Sequence, residues 1–139
     1  MKYNIHHAVV IGAGTMGGGI AALLSNAGIR VSLLDIVPNK LSSEEEGKGL
    51  SLADPTVRNR FAREGLERAV KSRPASFLTS EHAALVTAGN LEDDFHLVAQ
   101  ADWVIEVIVE NLKIKRELMA RIDAIRQPST IVSTNTSGI

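Results

Sequence analysis

The sequence predicts an α/β fold in which a doubly wound, mainly parallel sheet carries helices on both faces. An apolar run (7–12) leads into five glycines within eight positions, and a second apolar run (30–36) ends in Asp35. Two further apolar runs, 101–109 and 130–135, flank a segment whose apolar residues recur at helical spacing. Strands that alternate with helices in this way favour parallel pairing with crossover connections.

Composition indicates an ordinary globular domain. The 139 residues suit one domain with one core, and 45% hydrophobic and 22% charged residues are typical values. A formal net charge of −1 gives no general attraction to nucleic acid or to anionic membranes. The absence of cysteine excludes disulfides, thiolate metal sites and thiol nucleophiles, and we predict no metal site. The sequence shows no signal peptide and no apolar run of the ~20 residues that span a bilayer, so we expect a soluble, cytoplasmic domain.

The first quarter of the chain predicts a βαβ unit. The run 7–12 is almost continuously apolar, as in a strand that is buried on both faces. A helix is predicted over 15–26, because Gly28 follows where a glycine commonly ends a helix. The second strand is predicted over 30–36.

The middle of the chain is less regular, and we expect a helical insertion or elaborated segment at about 38–91 within a single domain over 1–139. A helix is predicted over 55–73, with arginines on one face. Its other face would be apolar, formed by Val57, Phe61, Leu66, Ala69 and Val70. A weak strand is predicted over 84–89 and a short amphipathic helix over 91–100.

The last third returns to a clear pattern, with strands predicted over 101–109 and 130–135. The helix between them is predicted over 111–126, and Pro128 follows its end. Its apolar positions at helical spacing are Leu112, Ile114, Leu118, Met119, Ile122 and Ile125.

The glycine turn has the context of a Rossmann-type dinucleotide site. Gly12, Gly14 and Gly17 satisfy G-x-G-x-x-G between a strand and a helix, and an acid ends the next strand 18 residues beyond Gly17. Gly12 permits the tight turn, Gly14 lets the backbone approach a pyrophosphate, and Gly17 lets the helix pack close to the strand. The start of the helix offers N–H groups and the positive end of its dipole to the phosphates.

Asp35 indicates which dinucleotide binds. Its carboxylate should accept hydrogen bonds from ribose hydroxyls and would repel a 2′-phosphate, and no arginine follows it in Ile36, Val37 and Pro38. The sequence therefore predicts NAD rather than NADP. A solvated acid at a strand end remains the alternative for Asp35, and FAD and other adenosine ligands share the same fingerprint.

Three polar residues lie in or after the later strands. Glu110 stands at the carboxyl end of the run 101–109, where such sheets bind ligands, although the dipole of the following helix also favours an acid there. Ser137 would donate a hydrogen bond to a substrate or cap a helix. Glu106, which has apolar neighbours within the strand, is assigned no role.

Four features of the sequence resemble, in matching order, the NAD-binding domain of L-3-hydroxyacyl-CoA dehydrogenases: "VIGAGTMGGGIA", Asp35, "ADWVIEVIVENLKIKRELMARID" and "TIVSTNTSG". These enzymes oxidise the 3-hydroxyl of acyl-CoA thioesters in fatty-acid β-oxidation. The longer middle segment is more similar to large bacterial members that are fused to an enoyl-CoA hydratase-like region.

This resemblance implies NAD as the cofactor and 3-hydroxyacyl-CoA or 3-ketoacyl-CoA as the substrate of the full-length protein. Ser137 would hydrogen-bond the reacting oxygen of the substrate. The implied cofactor-binding residues form a pyrophosphate turn, a ribose acid and a nicotinamide group: Gly12, Ala13, Gly14, Thr15, Met16, Gly17, Asp35, Glu110, Lys115 and Asn135.

The proton acceptor for alcohol oxidation is expected outside this chain. In the resembled family a histidine backed by a glutamate takes the proton, and both follow the segment that ends here at Ile139. His6, His7, His82 and His96 are expected to be structural or exposed. We therefore expect a truncated fragment that lacks the helical substrate and dimerisation domain, binds NAD weakly, is inactive, and is prone to homo-oligomer formation through its uncovered surface.

Two other interpretations stay open at this point. A non-catalytic, redox-sensing NAD-binding module would use the same fold. A dehydrogenase for another hydroxy acid shares the turn but not the later motifs. The cations of the segment 55–73 would contact CoA phosphates or form a solvated face, which is the more usual case: Arg58, Arg60, Arg63, Arg68, Lys71 and Arg73.

Overall fold

The structure, a computed structural model, describes residues 4–108 and 111–134. Its strands are β1 (His7–Ile11), β2 (Arg30–Asp35), β3 (Val86–Asn90), β4 (Trp103–Glu106) and β5 (Ile131–Thr134). Its α-helices are α1 (Thr15–Asn26), α2 (Ser43–Gly47), α3 (Pro55–Arg58), α4 (Arg60–Lys71), α5 (Ser80–Ala83) and α6 (Leu112–Ile125), and a 3₁₀ helix spans Phe95–Gln100.

All neighbouring strands pair in parallel, in the order β3-β2-β1-β4-β5. The chain starts at the centre of the sheet, builds outward to β3, and then crosses β1 to form β4 and β5. Ile11 of β1 pairs with Leu34 of β2 and with Glu106 of β4. The glycine turn, Asp35 and Glu106 therefore lie together at the carboxyl-terminal end of the parallel strands. The strand order reverses there, and such folds bind ligands at that point.

Helices cover both faces of the sheet. On one face, α1 and α4 pack small residues such as Ala21 and Ala62 against Val10 and Leu33. On the other face, the 3₁₀ helix and α6 pack Phe95, Val98, Leu118 and Ile122 against Val9, Ile11 and Leu34. The predicted doubly wound α/β fold is confirmed. Among the residues described, no helix is both long and apolar enough to cross a bilayer.

The helix predicted over 55–73 is broken at Asn59 into α3 and α4. Small residues, not large ones, form much of the buried face of α4: Ala62, Gly65 and Ala69. Val70 was predicted on this face and is instead 49% exposed. The apolar periodicity therefore predicted part of the buried face wrongly. The reason is that close packing against the glycine turn requires residues with almost no side chain.

The segment around β4 also differs from its prediction. The strand predicted over 101–109 ends at Glu106 in the described residues, and the predicted short helix is a 3₁₀ helix. In α6, Leu118 and Ile122 are buried, whereas Leu112 and Ile114 are about half exposed. One part of the apolar stripe of α6 thus fills the core, and the other part borders the candidate site.

Candidate functional site

The glycine turn joins β1 to α1 and is closely packed on one side. Gly12 has a φ of +112°, and a Cβ there would lie 2.8 Å from the carbonyl oxygen of Val107. A Cβ on Gly17 would overlap the carbonyl oxygen of Gly12. A Cβ on Gly14, in contrast, would meet no atom within 4 Å. Only Gly12 and Gly17 are therefore required by the packing of the turn, and Gly14 leaves its outer side open to a ligand.

The first turn of α1 faces this open side. No side chain of the described residues caps the helix at Gly14. Thr15, Met16 and Gly17 are its first three residues, and the Met16 side chain is 56% exposed. The amino end of α1 is the kind of helix terminus that binds phosphate groups through backbone N–H groups and the helix dipole.

Asp35 ends β2 beside the turn and has a fixed orientation. One carboxylate oxygen, Oδ2, accepts a hydrogen bond of 2.8 Å from the backbone N–H of Ala13, and Oδ1 accepts one of 2.7 Å from the N–H of Ile36. Each carboxylate oxygen accepts two or more hydrogen bonds. Acceptor capacity therefore remains for a ligand hydroxyl.

A cavity of about 550 Å³ begins at the turn and runs towards α6. Its polar lining comes from the turn and Asp35 at one end and from Glu117 and Arg121 of α6 at the other. The guanidinium of Arg121 stacks on the ring of Phe95, 4.0 Å from the centroid, and donates to the carbonyl of Leu91. The apolar walls come from the ends of several elements: Ile36, Leu91, Val107, Ile108, Ile114 and Leu118. Apolar walls with a carboxylate at one end suit a nucleoside, which is a flat base attached to a polyhydroxyl sugar.

Helix α4 contacts the turn from the opposite side. A Cβ on Gly65 would overlap the Ala13 carbonyl oxygen, and Arg68 donates a hydrogen bond from Nη2 to that oxygen at 3.0 Å. A second cavity of about 250 Å³ lies there, and its charged lining residues are Asp35, Glu64 and Arg68. No arginine follows Asp35 in the next three residues, and Arg68 lies 33 positions later on α4, so a local pattern could not predict it.

Two other cations of the segment 55–73 are bound to protein carboxylates. Arg58 donates from Nε to Asp93 at 2.7 Å, and Arg60 pairs with the buried Glu45. The hydrogen bonds from Arg58 lower the pKa of Asp93. The favoured prediction of a solvated basic face is therefore wrong for Arg58 and Arg60, whose side chains are only 25% and 14% exposed.

Lys115, on α6, lies at the same end of the sheet, beside the carboxyl ends of β4 and β5. Its Nζ is 3.9 Å from Oε1 of Glu106, a carboxylate that is 1% exposed. Both residues line a third cavity of about 500 Å³ between α6 and the end of β5. Glu110, Asn135 and Ser137, which the resemblance assigns to this half, lie outside the described residues.

The structure separates the histidines from the turn. His7 is buried at the amino end of β1, where its Nε2 lies 2.8 Å from the Ser32 hydroxyl oxygen. His6 precedes it and is exposed, and the His82 ring is 2.7 Å from the Thr79 hydroxyl oxygen. None of the four histidines lines any of these three cavities. Among residues 4–108 and 111–134, no group of three or more His, Asp or Glu side chains is arranged to hold a metal ion.

Comparison with known proteins agrees with this geometry. The family described as "3-hydroxyacyl-CoA dehydrogenase, NAD binding domain" matches residues 7–139. A Bacillus subtilis protein named "Probable 3-hydroxyacyl-CoA dehydrogenase" is 48% identical over 139 residues, which are 100% of this chain and 18% of that protein. A Deinococcus radiodurans protein of the same name is 44% identical over 98% of this chain and 35% of its own length.

Solved structures show the same relationship. The crystal structure of 3-hydroxybutyryl-CoA dehydrogenase from Escherichia coli superposes with a TM-score of 0.66 at 30% identity, over 98% of this chain and 25% of that chain. This chain thus spans well under half the length of each of these three proteins. The predicted cofactor, NAD, is the one that the matched family binds. The chain belongs to the 3-hydroxyacyl-CoA dehydrogenase family and corresponds to its NAD-binding domain.

Proposed function

We propose that this chain is the NAD-binding part of an L-3-hydroxyacyl-CoA dehydrogenase, in which hydride passes from C3 of a 3-hydroxyacyl-CoA to NAD during fatty-acid oxidation. The observation that carries the proposal is the cavity that joins the glycine turn to Asp35 in a chain of this family. NAD supplies the hydride acceptor when it is bound. The residues of the chain bind and orient it.

The adenosine half of the cofactor fits the first cavity. The base would lie between the apolar walls that include Ile36 and Leu91. The ribose hydroxyls would donate to Asp35, whose orientation is already set by its hydrogen bond from Ala13. The pyrophosphate would lie on the open side of Gly14, at the amino end of α1.

The nicotinamide half would lie across β1, at the ends of β4 and β5. In a sheet built from two mononucleotide-binding halves, the dinucleotide spans the point where the strand order reverses. We assign Glu110, Lys115 and Asn135 to this half and Ser137 to the substrate oxygen. The position of Lys115 beside the third cavity supports its assignment.

A proton acceptor is needed for the reaction, and we propose that another part of the parent protein supplies it. The separation of the histidines from the three cavities supports this view. The chain alone should therefore bind NAD and produce no NADH from 3-hydroxybutyryl-CoA. NADH formation at a rate near that of a full-length enzyme would contradict this part of the proposal.

Calorimetric titration with NAD, NADP and an acyl-CoA tests the cofactor assignment. We expect the wild type to bind NAD at least about tenfold more tightly than NADP, and Asp35→Ala to lose about tenfold in NAD affinity, as expected for a lost hydrogen bond to a carboxylate. Glu46→Ala is a matched control, because it removes an exposed carboxylate on α2 that lines none of the three cavities. Equal binding of NADP and NAD by the wild type would overturn the assignment of Asp35.

A further inference from the structure

Glu106 is a buried acid to which the proposed function gives no task. It ends β4 and is only 1% exposed, although Val104 and Ile105 before it are apolar core residues. Its backbone pairs with Ile11 on one side and with Thr134 on the other. It therefore lies on an inner strand, at the carboxyl-terminal end of the sheet that bears the candidate site.

Both oxygens of the Glu106 carboxylate are bound. Oε2 accepts a hydrogen bond of 2.7 Å from the backbone N–H of Ile108, and Oε1 accepts one of 2.7 Å from the Thr134 hydroxyl. Oε1 also lies 3.9 Å from Nζ of Lys115 on α6. One carboxylate thus connects the end of β4, the end of β5 and α6.

Burial of the Glu106 carboxylate is unfavourable, and its contacts offset the loss of hydration. An isolated buried carboxylate is strongly unfavourable, and an apolar residue of similar volume is often at least as stable at such a position. The two hydrogen bonds satisfy the oxygens, and Lys115, whose side chain is 17% exposed, supplies the opposite charge. Stability alone therefore does not explain why an acid occupies the end of β4.

We propose that Glu106 is a positioning residue of the nicotinamide half: it holds Lys115 and balances its charge, so that the site accepts the positively charged nicotinamide of NAD. This inference rests on the proposed function, which puts the nicotinamide at the ends of β4 and β5. The oxidised ring carries a positive charge and the reduced ring of NADH carries none, while the rest of the two cofactors is the same.

The proposal predicts a change in cofactor preference. Glu106→Gln keeps the shape of the side chain and removes its charge, so that Lys115 loses this ion pair beside the proposed position of the oxidised ring. The affinity for NAD should then fall about fivefold relative to that for NADH, the scale of one charge interaction several ångströms away in a partly shielded site. ADP-ribose, which lacks the nicotinamide, should bind as it does to the wild type.

The experiment is a calorimetric titration of the chain with NAD, NADH and ADP-ribose. It compares the wild type with Glu106→Gln, Lys115→Met and the double variant. Lys115→Met should shift the NAD-to-NADH ratio in the direction opposite to Glu106→Gln, and the double variant should return it towards the wild-type value. Lys115→Met also keeps the proposal testable if Glu106→Gln does not fold. Glu67→Gln removes an exposed carboxylate on α4 and serves as the matched control.

The outcomes separate this inference from the proposed function. If the wild type binds neither NAD nor ADP-ribose, the proposed function fails and this inference fails with it. If the wild type binds all three ligands and Glu106→Gln weakens them by the same factor, or weakens none, Glu106 is merely structural and this inference alone is overturned. An unchanged ratio in Lys115→Met would overturn it as well.

Discussion

Asp35 and Arg68 bind the two backbone polar atoms of one residue, Ala13, from opposite sides. The Asp35 carboxylate accepts from the Ala13 N–H at 2.8 Å, and the Arg68 guanidinium donates to the Ala13 carbonyl at 3.0 Å. Ala13 is the residue between the first two glycines of the turn. Its peptide groups are thus held by an anion from β2 and a cation from α4, which makes α4 part of the candidate site.

The first prediction concerns Arg68. Arg68→Gln removes the cation that holds the turn, and we expect NAD to bind about three- to tenfold more weakly, the effect of one charged hydrogen bond at a partly exposed site. The melting temperature should change little, because Arg68 is exposed. Calorimetric titration and a thermal melt measure the two quantities.

Lys71→Gln is the control for the Arg68 experiment. It removes a positive charge from the same helix at an exposed position. If Lys71→Gln weakens NAD binding as much as Arg68→Gln does, the effect comes from net charge and not from the hydrogen bond to Ala13.

The second prediction concerns discrimination against NADP. Arg68 lines the same small cavity as Asp35 and Glu64, so a cation is present where these two carboxylates oppose a 2′-phosphate. We expect Asp35→Ser to raise NADP affinity several-fold, since removal of a like charge near a phosphate is favourable. The double variant Asp35→Ser, Arg68→Gln should lose this gain. A gain of equal size in the double variant would show that Arg68 takes no part in it.

The third prediction separates two glycines of the turn. Gly17→Ala would force a Cβ into the Gly12 carbonyl oxygen, so we expect it to lower the free energy of unfolding by about 3 kcal/mol. Gly14→Ala meets open space at a φ of −71°, and we expect it to change stability by less than about 1 kcal/mol. It should nevertheless weaken NAD binding about tenfold or more, because the new methyl group occupies the approach of the pyrophosphate.

Urea unfolding and NAD titration measure these effects on separate samples. Gly19→Ala is the matched control, since its Cβ would also lie in open space but further along α1. If Gly14→Ala binds NAD as the wild type does, the pyrophosphate does not lie where we propose.

The βαβ unit could be predicted because its signals are local. The turn glycines, the helical pattern and the two apolar strands all lie within residues 7–35. The helix predicted over 15–26 is found at Thr15–Asn26, and Asp35 ends β2 as expected. These are the parts of the site that a single sequence determines.

The contribution of α4 could not be predicted, because its contacts join distant residues. Arg68 and Ala13 are 55 positions apart, and no local pattern connects them. In the sequence, Gly65 is only a residue of low helix propensity. Its close packing against the turn is seen only in the structure. For the same reason Glu106 had no assigned role: its partner Thr134 lies 28 positions later, on another strand.

The fourth prediction concerns the pH dependence of stability. Burial, with a further contribution from Arg30, lowers the pKa of His7 below its ordinary value of 6.5, although Asp102 opposes the shift. The unfolded chain therefore binds more protons than the folded chain below about pH 6.5. Stability should be full above that pH and fall as the pH drops through the lowered pKa of His7, by at most about 1.4 kcal/mol per pH unit.

Urea unfolding between pH 8 and pH 5 measures this slope. The hydrogen bond from the His6 N–H lowers the pKa of Asp102, so Asp102 contributes only below this pH range. His7→Gln should flatten the slope, because the amide does not titrate. His96→Gln is the control at an exposed position and should retain it. If His7→Gln loses stability towards pH 5 as steeply as the wild type does, another group is responsible, and the contact between His7 and Ser32 serves packing alone.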